Sequence, residues 1–505
     1  IRYTITGLVS FISVLLLSAV LIPLLFEDSI KRLFIQELNK NLATEVVIDE
    51  NDIDLTILKH FPNATVVFKN VGIRESIQDS RKNFLHADEI SLLFNIRDIL
   101  KKNYVIQKII IEKAEIKLLC DKNGGINYQF WRESTTASSS SDSSTFSLLL
   151  KEVVCSDVDL IYSDEKNQQD LSFFIYDGTL NGNFSSSEYI LEAKAHVLSK
   201  AITVRSQTYL ADKETDVDAQ IHINNATDTY TFKDGKIAFN KNIFEISGSV
   251  SDQGPLDLDL DIKGDKTDIE ALLLLLPVSH GGALGSIESK GKITFSSSIK
   301  GVYSSTQNPL VKVDFSVAGV SINHEKFRDK ITGVHCTGFY TNGEGKNAQT
   351  SVLQVRDFTA QYNKEPITFN LNYSNFSNPY IDMKLNGKIP ASLVIGSIQN
   401  EHISDVHGDL IFRDIMIKGN IKTISDRNQR QQPVNGMVIF DNVTCTINKE
   451  TVAIKKGEAL IDNSELILKD FSANVSGAEV SAELNIDNWL QKIFISSVSA
   501  PPTYL

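Results

Sequence analysis

Two hydrophobic periods divide the chain. Thr4–Phe26 is an unbroken run without Asp, Glu, Lys, Arg or His. A helix of ~20 apolar residues spans the hydrocarbon core of a bilayer, and a lone segment in lipid satisfies its backbone only as a helix. The run predicts a transmembrane anchor over residues 1–27, built on Leu8, Phe11, Val14, Leu15, Leu16, Leu17, Val20 and Leu21. It exceeds the ~7–15-residue core of a cleaved signal peptide, and Pro23–Glu27 is not a small-residue cleavage site. Arg2 before the span and Lys31 and Arg32 after it leave the flanking charge silent on orientation. Over residues 28–44, Ile30, Leu33, Phe34 and Leu38 recur at spacings of three and four. That spacing predicts an amphipathic helix whose apolar face packs on the first strands or lies on a membrane surface.

From Glu45 the period becomes two. Residues 45–133 form a first β segment, and Ile109–Leu118 reads as two strands with a bend before a turn at Asp121–Gly125. A serine-rich linker or loop follows over 134–145, and a long β body over 146–505. In that body Leu256, Leu258, Leu260 and Ile262 alternate with Asp257, Asp259, Asp261 and Lys263. Val311, Val313, Phe315 and Val317 alternate with Lys312, Asp314, Ser316 and Ala318; Ile367, Phe369 and Leu371 alternate with Thr368 and Asn370. Strand side chains point to opposite faces in turn, so each strand has one oily and one wet face. Helix is expected only in short pieces, near Asp28–Asn41, Arg97–Asn103 and Asp268–Leu276, the last with a capping-box spacing at Thr267–Glu270 and a stop at Pro277.

With strands of about 6–10 residues, this much one-faced sheet must curl, split or close. Two outcomes satisfy the oily faces. The sheet can fold on itself into sandwiches filled by side chains, or curl into a trough whose oily interior stays open for an apolar ligand.

Composition narrows the function. Fifty Lys and Arg against 63 Asp and Glu give a net charge of −13. That balance excludes nucleic acid as a partner and argues against a polybasic membrane patch. Cys120, Cys155, Cys336 and Cys445 have no CxxC spacing, and either disulfides or buried thiols fit them. His402 and His407 lie near Glu401, Asp405 and Asp409, a constellation read as a solvated loop rather than a metal site. No phosphate loop, HExxH or nucleophile elbow is found. No catalytic residue, metal or cofactor is expected, and the chain reads as a protein that is not an enzyme. The first residue is Ile and the chain stops at Pro501–Leu505 without a closing element, so a longer protein is expected.

The order of features resembles the AsmA-like proteins of Gram-negative bacteria. After the anchor, Phe61-Pro62 leads into Val66–Ile73, followed by His86–Phe94, Ile99–Ile106, Ile109–Leu118 and Asp121–Asn127. The last stretch is similar to that family's Asp-x-x-Gly-x-x-Asn motif with one extra glycine. Leu256–Pro277 and Ile293–Phe315 are similar to its long C-terminal region. The resemblance covers most of the chain and is densest before residue 130. It implies a mainly β protein with an N-terminal transmembrane helix and a long, curled antiparallel sheet forming an elongated hydrophobic groove, a repeating β-groove. It further implies a single inner-membrane span with the bulk in the periplasm. The implied role is lipid transfer, with phospholipid or another lipid as ligand and the inner membrane and outer-membrane components as partners. The groove-lining residues expected are Leu256, Leu258, Leu260, Ile262, Val311, Val313, Phe315, Val317, Ile367, Phe369 and Leu371. The alternative is an anchored β-scaffold that assists outer-membrane or envelope assembly without binding lipid.

Overall fold

The computed structural model describes residues 44–487, apart from 45, 57–62, 78–79, 81, 96–103, 130–145, 240–241, 268–287, 305, 324–329, 397–402, 422–433 and 464. The anchor at 1–27 and the helices expected at Asp28–Asn41, Arg97–Asn103 and Asp268–Leu276 lie outside the described residues. Among the described residues no helix is long and apolar enough to cross a membrane.

The protein is mainly β. It divides into two compact units at Asp257/Leu258. The first holds β1 (Val46–Val47), β2 (Ile53–Thr56), β3 (Asn63–Arg74), β4 (Asn83–Asn95), β5 (Tyr104–Cys120), β6 (Phe146–Asp164), β7 (Gln169–Asn181), β8 (Glu188–Val204), β9 (Gln207–Tyr209), β10 (Lys213–Asn224), β11 (Thr229–Phe239) and β12 (Asn242–Ser251). The boundary falls inside β13 (Leu256–Thr267). The second unit continues with β14 (Glu288–Tyr303), β15 (Leu310–Asn323), β16 (Ile331–Thr341), β17 (Val352–Tyr362), β18 (Glu365–Ser374) and β19 (Tyr380–Pro390). A short helix α1 (Ala391–Gly396) follows, then β20 (Ile403–Asn420), β21 (Val434–Ile447), β22 (Glu450–Asp462), β23 (Glu465–Val475) and β24 (Ala478–Asp487). Alternation gave no sign of α1, because a six-residue helix is too short to show a period of 3.6.

From β14 to β24 each strand pairs antiparallel with the next. Among the described residues the first unit departs from the all-antiparallel expectation at one junction: β5 and β6 are parallel, with Ile111 opposite Cys155 and Ile116 opposite Leu160. A parallel neighbour needs a crossover of a dozen or more residues, and residues 121–145 supply it.

Most of the strands outrun the expected 6–10 residues, and many of these are bulged rather than ended. β5 is one strand, not two, with Lys113 at φ 51°. In the second unit Asp357 (φ 52°), Asp414 (φ 48°) and Asp470 (φ 48°) occupy bulges where the register shifts. Asp and Asn tolerate the left-handed region better than other non-glycine residues, and a bulge bends and twists its strand. The freed amides are satisfied: the Asp357 N–H donates to Asn370 Oδ1 at 2.8 Å, and the Asp414 N–H to Asn386 Oδ1 at 2.6 Å. A bulge also resets alternation, so Val355 and Phe358, three apart, face Leu371 and Phe369 on one side of the sheet.

The Asp121–Asn127 motif is architectural. Asp121 Oδ1 accepts from the N–H groups of Asn123 (2.7 Å) and Gly125 (2.9 Å), and Gly124 takes φ 87° to close the turn. Asn127, 1% exposed, accepts from the Leu119 N–H (2.8 Å) and donates to Lys117 O (2.9 Å). Its carbonyl accepts from the Ser76 N–H (2.8 Å), tying the end of β5 to the loop after β3.

On the polar side of β19–β21, Lys388 Nζ lies 2.6 Å from Asp441 and 3.2 Å from Asp409. The two aspartates are directly opposite across the β20–β21 ladder, where like charges repel. Asp441, opposed by burial and then aided by Asp409, holds Lys388 above the ordinary lysine value. A raised lysine stabilises fully below its unfolded value of ~10.4 and loses that contribution as pH rises through the folded value. Lys388→Met should therefore cost about 2 kcal/mol at neutral pH by stranding two half-buried carboxylates. The gap in melting temperature between parent and variant should close above about pH 10.5. A gap that stays constant from pH 7 to 11 would show that the ammonium charge is not what holds the pair.

Candidate functional site: the apolar face of each unit

Register, which sequence alone does not supply, places the apolar residues in rows. In the first unit Phe68, Ile90, Ile111, Cys155, Gly178, Ala195, Val217, Ile237 and Phe244 face one another in succession from β3 to β12. Phe68 and Phe244 are buried, and the side chains between them are half-buried. The opposite face carries a cross-strand ion pair, Lys194–Asp218 at 3.4 Å, and a hydrogen bond between His196 Nδ1 and Asp216 at 2.8 Å.

In the second unit one row runs Phe295, Phe315, Gly338, Val355, Leu371, Met383 and Ile417 across β14–β20. A second, parallel to it, runs Val313, Tyr340, Leu353, Tyr373 and Ile381. Phe295 is buried, and the other side chains of the two rows are half-buried. The Phe315 ring lies over Gly338, where any Cβ would run into it, and the Phe295 ring lies likewise over Gly264 on β13. Each ring thus covers backbone that a glycine would otherwise expose.

Exposure along the strands is graded. At one end Ile293, Val320, Val334, Ala360, Tyr362 and Ile367 form a closed cluster, with Leu385 and Ile389 against it. Farther along, Ala391 of α1 joins Leu410, Phe412, Ile415, Val434, Val443 and Ile461 in another. The opposite side of the sheet is largely polar, with a shallow depression of ≈ 440 Å³ bordered by Thr294, Ser296, Asp314, Ser316, Thr337 and Arg356 and by the Phe339 ring.

Val311, Val313, Phe315 and Val317 share one face of β15 and are half-buried. Phe369 and Leu371 share the corresponding face of β18, while Ile367, 6% exposed, belongs to the closed cluster. Leu256, Leu258, Leu260 and Ile262 are half-buried on β13, with Asp257 and Asp259 exposed between them. Sequence reasoning missed Phe295, Tyr340, Leu353, Val355, Phe358 and Met383, and the whole row of the first unit. For Val355 and Phe358 the signal was an apolar pair spaced three apart around an Asp, Val355-Arg356-Asp357-Phe358.

The four cysteines are free thiols, and burial pushes each up from its ordinary value. Cys155 and Cys336 stand on the apolar faces, opposite Ile111 and Val317. Thiols held protonated in this way are poor nucleophiles. Of the supposed metal constellation, Asp409 is engaged by Lys388, and Glu401 and His402 lie outside the described residues.

The AsmA family model matches residues 2–268, just over half of the chain. The chain belongs to the AsmA family. No curated protein and no solved structure matches it. The family match spans the first unit, whose parallel β5–β6 junction, Asn127 clamp and apolar rows are thus features of an AsmA member.

Proposed function

We propose that this AsmA-family protein is a membrane-anchored lipid-transfer protein that shields acyl chains in grooves formed by its apolar sheet faces. In this reading residues 1–27 cross the inner membrane and the β body stands in the periplasm, passing phospholipid between inner and outer membranes. The observation that carries it is the in-register apolar face of each unit, half-exposed over many strands and backed by a polar face. A phospholipid has roughly 30 methylenes at ~0.8 kcal/mol each, so carrying it bare through water costs on the order of 20–25 kcal/mol. A face of aliphatic and aromatic side chains offsets that cost without fixing individual contacts. No step of such transfer needs a catalytic residue or cofactor.

The experiment is mass spectrometry of lipids that co-purify with the protein after gentle extraction. The reading expects phospholipid at one or more molecules per chain. Lipid-free protein that also fails to take up phospholipid from vesicles would leave the assembly scaffold instead. The anchor has its own check: a chain lacking residues 1–28 should leave the membrane pellet for the soluble periplasmic fraction. Persistence in the pellet at high salt would refute a single anchor.

A further inference from the structure

The graded exposure of the second unit also orients the ligand, an inference that rests on the lipid reading above. At the end of β14–β19 away from the closed cluster, Tyr340, Tyr373 and Phe376 form an aromatic group. Tyr340 and Phe376 centroids are 6.1 Å apart, and Tyr373 and Phe376 are 5.0 Å apart. Phe376 and Tyr380 are each 37% exposed. Neither the Tyr340 nor the Tyr373 hydroxyl has a hydrogen-bond partner among the described residues. Burial pushes the Tyr373 phenol up, so it stays protonated and able to donate.

Side chains with an apolar body and a polar tip settle where hydrocarbon meets water. The distance from this rim to the closed end fits an acyl layer. Val313, in the Tyr340 row, and Val320, in the closed cluster, are seven residues apart on β15, roughly 23 Å of strand. Half of a ~30 Å hydrocarbon core is about 15 Å. The strip is therefore long enough to take one acyl layer laid along the strands, with polarity rising from one end to the other as it does in a lipid.

We propose that phospholipid lies along the β15–β18 strands with its acyl ends at the Val320–Val334–Tyr362 cluster. Its glycerol and headgroup then sit at the Tyr340–Tyr373–Phe376 rim, where the two free phenols donate to ester or phosphate oxygens. Tyr340 and Tyr373 are then the residues that read the polar part of the lipid, and the rim is the side by which it enters and leaves.

The test uses the full chain and vesicles of phosphatidylethanolamine and phosphatidylglycerol. The vesicles are doped with a phospholipid carrying a diazirine either on the headgroup or on the terminal acyl carbon. After irradiation, the labelled peptides are mapped. The headgroup probe should label peptides carrying Tyr340 and Tyr373 several-fold more than those carrying Val320 and Tyr362, and the tail probe should reverse the ratio. Tyr340→Phe combined with Tyr373→Phe keeps both rings. It should cut headgroup labelling at the rim at least about fivefold, the lower end of what the loss of two neutral hydrogen bonds gives. Equal or reversed ratios, or a double variant that labels like the parent, would overturn the orientation while leaving lipid binding intact. No labelling by either probe would overturn the lipid reading itself.

Discussion

Val320→Asp should unfold the second unit, whereas Phe315→Asp, five positions away on the same strand and face, should leave it folded and empty. Val320 is 1% exposed within the closed cluster. A carboxylate there has no partner and no water, and the expected loss is about 4 kcal/mol or more. Phe315 is half-buried on the graded part of the face. A carboxylate at 315 can stay hydrated when no lipid is present, and the loss is confined to the ring's cover over Gly338, about 1–2 kcal/mol. With lipid present the same charge faces acyl chain, so bound phospholipid should fall several-fold. Thermal melts of the two variants beside lipid quantitation check both halves. Equal collapse of the two would mean that the whole face is packed core.

Asn127→Ala should cost about 2 kcal/mol, because it strips partners from a part-buried N–H and a part-buried C=O at once. The lost bonds are those to Leu119 and Lys117, and Glu75, 8% exposed, loses a neighbour at 3.4 Å. Asn127→Asp should not rescue it, since the carboxylate accepts from Leu119 but cannot donate to Lys117. Chemical denaturation would measure the loss, and a variant as stable as the parent would show that the family motif does not clamp β5.

These two sites differ in how far they could be read before the fold was known. The Asp121–Asn127 stretch was visible as a motif, but its role was not. Its partner Ser76 lies some fifty residues earlier, and only the β3–β4–β5 meander brings the two together. On β15 and β18 simple alternation announced the face, because Val311–Val317 and Ile367–Leu371 run without a bulge. On β17 the run Val355-Arg356-Asp357-Phe358 broke the period, and a reading tuned to two discarded it. Small residues hid the first unit's row: Gly178 and Ala195 hold two of its positions, yet carry little hydrophobic signal. Nothing local told Ile367 from Phe369. Which one lies in the closed cluster depends on Val320, Val334 and Tyr362 arriving from three other strands. Sequence thus carries which residues are oily and often which share a face. Register, and the fraction of that face left open, come from long-range pairing.

The central claim is that the apolar face is an open surface for lipid rather than the inside of a closed core. Val313 and Asp314 are neighbours on β15 whose side chains point to opposite faces, half-buried and exposed respectively. A benzophenone side chain at one position or the other, in the full chain and in native membranes, samples the two faces under identical conditions. After irradiation and mass spectrometry, the account predicts phospholipid adducts at Val313 and none at Asp314. Crosslinks at Val313 only to other residues of the protein, with no lipid adduct at either position, would contradict it.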